Sequence, residues 1–286
     1  MMISSDIYLD CILSFAHEAG GIALDLISKS DPGLKKDHSI ITLADKAISK
    51  LARERLKSFL QSPGHILIDE EEQAIVQYMD QGLLDKTPFI WALDPIDGTR
   101  LYANRMPLFG ISLGLIKDLK PWLGVVYFPM LRELFYCDGT DAYFVQDAFG
   151  PNATKTRIVP LDEELSARSI FFCNDSFFNK FYWIDKDFNI MINACAVVNL
   201  CWPAIGRGVG SFLKCHLWDF AGCWPIIRRA GFALRRVSDG KVLDKLEVDL
   251  FNREPLWNMK EYYLISSERN FQQILSKIGR RSPLML

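Results

Sequence analysis

The chain has 286 residues, which is enough for one large domain or two domains of ordinary size. Apolar residues make up 49% of it and charged residues 24%, as in ordinary globular proteins. The net charge of −2 gives no electrostatic basis for binding nucleic acid or an anionic membrane surface, so neither is expected as a partner.

Three further patterns bear on the compartment. The segment 1–10 carries acids and no basic cluster, so a secretory signal is not indicated and a cytoplasmic location is expected. The charge-free stretch 188–206 is interrupted by asparagines and a proline, which favours a buried strand and helix over a membrane span. Seven cysteines without a Cys-x-x-Cys pair fit neither a disulfide framework nor a zinc site, so most should be reduced and buried.

The first third of the chain predicts two helices and a strand. Apolar residues at helical spacing indicate helices over 6–29 and 42–60. Thr42 can cap the second helix, with Asp45 three residues on as its capping-box acid. A short buried strand over 65–68 then runs into four consecutive acids, Asp69 to Glu72.

The apolar run 89–93 predicts a second buried strand, followed by Asp-Pro-Ile-Asp-Gly-Thr at 94–99. Pro95 disfavours helical dihedrals at Asp94, so Asp94 is expected at the end of the strand, on an exposed turn. The turn can point Asp94 and Asp97 to a common side and leave the Ile96 carbonyl free. Such oxygen ligands suit Mg²⁺ or Ca²⁺, although Asp-Pro and Asp-Gly are also simply good turn formers.

The remaining chain divides near Gly150, which gives an N-terminal part (1–150) and a C-terminal part (151–286). Apolar runs at 109–116, 122–128 and 133–136 indicate an antiparallel meander in the first part. The second part predicts alternating units: strands at 169–173, 188–192, 209–213, 232–237 and 261–265, and helices at 176–183, 195–205, 219–230 and 268–278.

Acidic residues fall at the ends of several predicted elements. They are Asp45, Glu70, Asp94, Asp97 and Asp219. Singly, each has a structural explanation, since Asp219 can be an N-cap and the acids at 70–72 a solvated helix start. Together they could share one pocket only if cations neutralise them, and two or three Mg²⁺ ions would do so.

Three motifs together resemble a known family. Glu70-Glu71 after a strand, Asp94 to Thr99, and Trp218-Asp219-Phe220-Ala221-Gly222 are similar in order and spacing to the inositol monophosphatase superfamily, Mg²⁺-dependent phosphatases inhibited by Li⁺. The stretch Lys36 to Asp45 also resembles the family's lead into its second helix, with Ile40 where proline is common. The resemblance runs from about residue 5 to residue 270.

The resemblance implies a layered α-β-α-β-α sandwich that joins an α+β part to an α/β part. It implies a first Mg²⁺ on Glu70, Asp94 and the Ile96 carbonyl, and a second on Asp94, Asp97 and Asp219. Asp45 and Thr99 would orient the attacking water, and no side-chain nucleophile is needed. The Asp-x-Asp-x-Thr pattern of a rival phosphatase class has a different spacing. Members commonly form dimers, so a homodimer is also expected.

On the substrate side the chain departs from the family pattern. The resemblance assigns phosphate contacts to Gly98 and Thr99 and to backbone amides at Ala194, Cys195 and Ala196. The glutamate that grips inositol hydroxyls has no counterpart. Phe212 stands near its place, and with Lys214 would suit a different leaving group.

The expected substrate is therefore a small soluble phosphate ester. An inositol phosphate, a phosphoadenosine phosphate, histidinol phosphate and a sugar phosphate all remain open. A hypothesis of another class is a degenerate member that binds metal or a partner without turnover; the acids retained at all five positions argue against it.

Overall fold

The computed structural model describes residues 5–29, 33–34, 40–161, 163–184 and 188–281. Its α-helices are α1 (Ser5–Leu26), α2 (Leu43–Leu60), α3 (Gln81–Leu84), α4 (Thr99–Ala103), α5 (Phe177–Lys180), α6 (Ala196–Cys201), α7 (Leu217–Ala221), α8 (Trp224–Arg229) and α9 (Glu268–Ser276). Short 3-10 helices occupy Gln73–Tyr78, Pro203–Ile205 and Val248–Leu250.

The strands follow in chain order. They are β1 (Gly33–Leu34), β2 (Ile40–Ile41), β3 (His65–Asp69), β4 (Phe89–Asp97), β5 (Gly110–Lys117), β6 (Lys120–Phe128), β7 (Glu133–Cys137), β8 (Ala142–Gln146), β9 (Thr154–Ile158), β10 (Ile170–Cys173), β11 (Phe181–Trp183), β12 (Asn189–Ile192), β13 (Gly210–Leu213), β14 (Phe232–Arg236), β15 (Phe251–Arg253), β16 (Leu256–Met259), β17 (Tyr263–Ser267) and β18 (Ile278–Arg280).

Strands β3 to β9 form one seven-stranded sheet in sequential order. Strands β3 and β4 are parallel, and each later neighbour is antiparallel. Side chains of β4 alternate between two cores, as the pleat requires: Trp91 and Leu93 pack with α1 and α2, whereas Ile90 and Ala92 face α6, α7 and α8. The sheet is therefore covered by helices on both faces.

A five-stranded sheet of order β12-β10-β13-β17-β14 forms the second sheet layer. Its strands β12, β10 and β13 are parallel, and β17 runs antiparallel to both its neighbours. Helices α6, α7 and α8 fill the space between the two sheets, and α5 and α9 cover the outer face. The predicted α-β-α-β-α sandwich is confirmed.

A pair of glycines allows the central helices to pack closely against the first sheet. Gly114 and Gly124 lie directly opposite each other on β5 and β6. A methyl group on Gly114 would lie 2.5 Å from the carbonyl carbon of Ala221, and one on Gly124 would lie 2.1 Å from the carbonyl oxygen of Gly222. Since only glycine permits this approach, these two positions fix where α7 ends on the sheet.

Several element predictions need correction. The predicted helix 219–230 is two helices, α7 and α8, interrupted at Gly222 and Cys223. The predicted helix 176–183 ends at Lys180, because residues 181–183 pair as β11 with β18. The predicted helix 195–205 gives way to a 3-10 turn at Pro203, whose ring cannot continue an α-helix.

The first sheet extends beyond residue 150, where the sequence predicted the boundary between two domains. Strand β9 adds to the first sheet through its pairing with β8, so that sheet continues to Ile158. The division of the chain into two domains stays a prediction. Residues 36–39 of the motif that leads into α2 lie outside the described residues.

Helix α1 is long and apolar enough to cross a membrane by length and hydropathy alone. Its buried residues, among them Ile12, Phe15 and Ala19, belong to the core shared with α2 and the first sheet. It therefore packs as a core helix. All seven cysteines are free, and all except the half-buried Cys11 are buried, which confirms the prediction made from their spacing.

Candidate metal centre

Strand β4 carries Asp94 and Asp97 in its last residues. The sequence predicted that the strand would end before Asp94, but it continues to Asp97. Its pairing with β5 is irregular between the two acids. That irregularity accommodates Pro95, which has no N–H to give to a ladder. Asp94 is 2% exposed and not on an exposed turn. It lies on the same face of β4 as Ile90 and Ala92, toward α7.

Gly98 turns the chain from β4 into α4. Its φ of 85° lies in the left-handed region, where a side chain is strained. A methyl group there would also lie 3.2 Å from the Cys195 Cβ atom and from the Leu108 carbonyl oxygen. Both constraints select glycine, and they bring the start of α6 against the end of β4.

The start of α6 holds the carboxylate of Asp97. The Val197 backbone N–H donates to Asp97 Oδ2 at 2.6 Å, and the Cys195 thiol donates to the same oxygen at 2.9 Å. These bonds link the first sheet to the α/β part of the chain. The thiol contact was not predicted, because the sequence assigned only backbone amides to this segment.

Asp219 reaches the cluster from α7. It is the third residue of that helix. The N-cap is His216, whereas the sequence had suggested Asp219 for that position. The His216 backbone N–H donates to Asp219 Oδ2 at 2.8 Å, and the imidazole stacks on Trp218 at 4.7 Å. His216 thus orients a predicted metal ligand. Its separation of three residues from Asp219, the spacing of a capping box, was the signal available in the sequence.

The run of acids after β3 divides into two roles. Asp69 and Glu72 form ion pairs with Arg53, each at 2.8 Å, and Asp69 also accepts from Ser49. Glu70 lies beside β4, where its backbone N–H donates to the Leu93 carbonyl oxygen at 3.2 Å. Its carboxylate contacts that of Asp94. Glu70 therefore lies beside the acids of β4, and its role as a metal ligand stays a prediction.

The carboxylates of Asp94, Asp97 and Asp219 converge. One oxygen from each lies within 4.8 Å of the other two. Burial, and then the negative charges of Glu70, Asp97 and Asp219, raise the pKa of Asp94 well above its usual range. Burial and Asp219 raise the pKa of Asp97 to about 7, despite the hydrogen bonds from Cys195 and Val197. Burial and mutual repulsion thus disfavour the charged forms of Asp94 and Asp97.

The donor set fits a hard divalent cation. Asp94 Oδ1 is buried and, among the residues that the structure describes, has no hydrogen-bond partner. An unsatisfied buried carboxylate oxygen is costly unless a proton or a cation serves it. Carboxylate oxygens are the ligands that Mg²⁺ and Ca²⁺ prefer.

The residues predicted to act on water are Thr99, beside the Ile96 carbonyl, and Asp45 on α2. The Thr99 hydroxyl donates to the Ile96 carbonyl at 2.9 Å, which leaves that oxygen a second lone pair. Asp45 is fully buried, and its Oδ2 accepts from the Thr42 N–H and hydroxyl, which confirms the capping box. Helix α4 packs on β2, directly before Thr42. The catalytic role of Asp45 stays a prediction.

The residues predicted to contact substrate separate into two groups. Ala194 is exposed, Cys195 is buried and Ala196 is half-buried, at the edge where α6 meets Asp97. Phe212 is fully buried, with its ring 4.9 Å from that of Phe177. A ring without exposed surface cannot contact a ligand, so the expectation for Phe212 is wrong.

The chain thus combines a layered α-β-α-β-α fold with a cluster of acids that suits a divalent cation. A model of the inositol monophosphatase family matches residues 11–281, so the chain belongs to that family, whose members are phosphoric monoester hydrolases.

Individual relatives are distant. Inositol monophosphatase 1 of Homo sapiens is 26% identical over 248 residues, which cover 81% of this chain and 84% of that protein. Protein qutG of Emericella nidulans is 29% identical over 175 residues, 58% of this chain and 52% of that protein. A solved IMPase/NADP phosphatase in complex with NADP and Ca²⁺ shares the fold, with a TM-score of 0.73, 17% identity and 96% coverage of each chain.

Metal binding should stabilise the protein more at high pH. The pKa of Asp97 is raised from 3.8 to about 7, so without metal the folded state keeps a proton that the unfolded state loses, and stability falls as pH rises between these values. Mg²⁺ must displace that proton at about pH 5.5 but not at about pH 8. We expect saturating Mg²⁺ to raise Tm by on the order of 5 °C at the higher pH and much less at the lower. Scanning calorimetry would measure both shifts, and equal shifts would contradict the assigned cluster.

Proposed function

We propose that the protein is a Mg²⁺-dependent phosphomonoesterase that hydrolyses a small soluble phosphate ester by direct attack of water. The observation that carries this proposal is the convergence of three carboxylates, two of them buried and that of Asp219 half-buried, whose burial and mutual repulsion raise the pKa values of Asp94 and Asp97. Asp94, Asp97 and Asp219 would hold Mg²⁺, with Glu70 and the Ile96 carbonyl completing the set. Bound Mg²⁺ would supply charge neutralisation for the phosphoryl group and its developing negative charge.

Hydrogen bonds within the chain would hold the metal-binding carboxylates in place. Asp97 is fixed by Val197 and Cys195, and Asp219 by His216, so both carboxylates are oriented before any ligand arrives. Thr99 begins α4 immediately after the glycine turn, which places its hydroxyl beside the Ile96 carbonyl. A hydroxyl there can orient a water for attack on phosphorus in line with the leaving group.

Several substrates remain compatible with this centre. Known relatives include proteins named for inositol phosphate and for NADP. In this chain the strand before α7 reads Ser211-Phe212-Leu213, and all three side chains are buried. No acid of β13 is available to grip sugar or inositol hydroxyls. We therefore place inositol phosphate alongside phosphoadenosine, histidinol and sugar phosphates as candidates.

A colorimetric assay tests this proposal. We expect release of p-nitrophenol from p-nitrophenyl phosphate in millimolar Mg²⁺, and loss of that release in excess EDTA, because the acids alone repel a dianionic phosphate. Release should return when Mg²⁺ is restored. Lack of Mg²⁺-dependent release from this compound, and from a panel of inositol, sugar and nucleotide monophosphates, would exclude the proposed activity.

A further inference from the structure

The chain turns directly after β3, and this turn carries Glu70, a predicted metal ligand. Asp69 is the last residue of β3, and its carbonyl accepts a hydrogen bond from the Glu72 N–H at 3.0 Å. Its carboxylate also accepts from the Glu71 N–H at 3.0 Å, a contact by which aspartate stabilises turns. The conformation of the turn 69–72 therefore depends on the position of the Asp69 side chain.

Two side chains of α2 hold this turn. Arg53 donates through Nη2 to Asp69 Oδ2 and through Nη1 to Glu72 Oε2, each at 2.8 Å. The Ser49 hydroxyl donates to Asp69 Oδ1 at 2.9 Å. Ser49 and Arg53 are four residues apart, so they lie on the same face of the helix. Helix α2 thus contacts the turn at its first and last residues.

Burial makes the contact with Asp69 more than a surface ion pair. The Asp69 side chain is fully buried, and the Arg53 side chain is 40% exposed. A buried carboxylate that loses its cation is strongly destabilising, so the pair with Arg53 resists separation. The planar guanidinium also presents several N–H groups in a fixed geometry, which lets it bind two carboxylates at once. A lysine ammonium would neutralise Asp69 but would not reproduce that geometry.

Glu70 needs such support because it lies beside another acid. Its carboxylate contacts that of Asp94, and the charges of the two groups oppose each other. Repulsion between like charges at this range drives the two groups apart or forces one of them to keep a proton. A turn that is fixed from α2 opposes the displacement of Glu70.

We propose that Arg53 is a positioning residue for the metal centre, holding the turn 69–72 so that Glu70 stays beside Asp94 and can bind the cation with it. This inference rests on the proposed function. The first and last acids of the run would then anchor the turn to α2, and Glu70 would serve the cation. The centre would thus depend on a residue of α2 that does not itself contact the metal.

Calorimetric titration with Mg²⁺ at about pH 8 tests this inference. Arg53→Gln removes both the charge and the bridge between the carboxylates, whereas Arg53→Lys keeps a cation for Asp69 and so protects the fold. We expect Mg²⁺ to bind Arg53→Gln about 10- to 100-fold more weakly than the wild type, as when a group that orients a metal ligand is lost. The affinity of Arg53→Lys should fall between the two, with a Tm in EDTA close to that of the wild type.

A Glu70→Gln background separates positioning from general structural support. If Arg53 acts through Glu70, Arg53→Lys should cause no further loss of Mg²⁺ affinity in this background, where the acids of β4 and α7 still bind the cation. Arg55→Gln is the matched control on α2, since Arg55 pairs with Glu18 of α1 and is 48% exposed. This control should leave the affinity unchanged.

Three results would overturn the positioning role while leaving the phosphatase intact. They are wild-type affinity in the folded Arg53 variants, equal losses of affinity in the two backgrounds, and the same loss in Arg55→Gln. Absence of Mg²⁺ binding by the wild-type protein would contradict the proposed function itself, and the inference with it.

Discussion

Asp94→Asn should abolish phosphatase activity without unfolding the protein. The carboxylate is buried among Glu70, Asp97 and Asp219, and its replacement by a neutral amide of nearly the same shape removes a shared cation ligand. We expect kcat/KM to fall by at least about 100-fold. Without Mg²⁺, the Tm of the variant should equal or exceed that of the wild type, because repulsion among the acids is reduced. Steady-state kinetics and calorimetry measure the two effects.

Asp244→Asn is the matched control for this variant. Asp244 is 70% exposed and lies 4.0 Å from Arg228, outside the acidic cluster. The same chemical change there should leave activity and Tm within error, since surface ion pairs contribute little. Retention of most activity by Asp94→Asn would show that Asp94 is not a metal ligand.

Gly124→Ala should destabilise the protein and impair its active site together. The added methyl group would meet the Gly222 backbone carbonyl at 2.1 Å, and backbone of this kind cannot rotate away. We expect a loss of about 3 kcal/mol in the free energy of unfolding and a fall in Tm on the order of 10 °C. Because α7 carries Asp219, activity measured below the unfolding transition should fall about 10- to 100-fold.

Gly21→Ala is the corresponding glycine control. A methyl group on Gly21 of α1 would meet nothing within 4 Å. Alanine is the better helix former, so this variant should gain about 0.5–1 kcal/mol in stability with unchanged activity. If Gly124→Ala were as stable and active as the wild type, the end of α7 would not pack against Gly124 as described.

The acidic centre was largely predictable because its residues carry local signals. Asp94, Asp97 and Asp219 each stand in a short motif at the end of an element, and the spacing of Thr42 and Asp45 predicts the capping box that the structure contains. The layered fold was implied by the resemblance to the inositol monophosphatase family. Local motifs thus sufficed to select these acids as candidates, whereas their assignment to particular metal ions came from the resemblance and stays a prediction.

Long-range packing accounts for what the sequence did not show. Pro95 signals a turn, yet pairing of Asp94 with Ser112 and of Asp97 with Gly110 extends β4 through it. The interruption at Gly222 depends on glycines of β5 and β6, about a hundred residues earlier in the chain. The side that Phe212 faces is decided by aromatic residues from other elements. None of these contacts leaves a local pattern.

Titration calorimetry of Mg²⁺ binding at about pH 8 tests the proposed metal centre most directly. We expect the wild-type protein to bind Mg²⁺ and Asp94→Asn to lose most of that binding, whereas Asp244→Asn should retain it. The cations would then occupy the cluster of Asp94, Asp97 and Asp219. Absence of Mg²⁺ binding by the folded wild-type protein, or equal binding by all three proteins, would contradict the assignment of these acids as a metal centre.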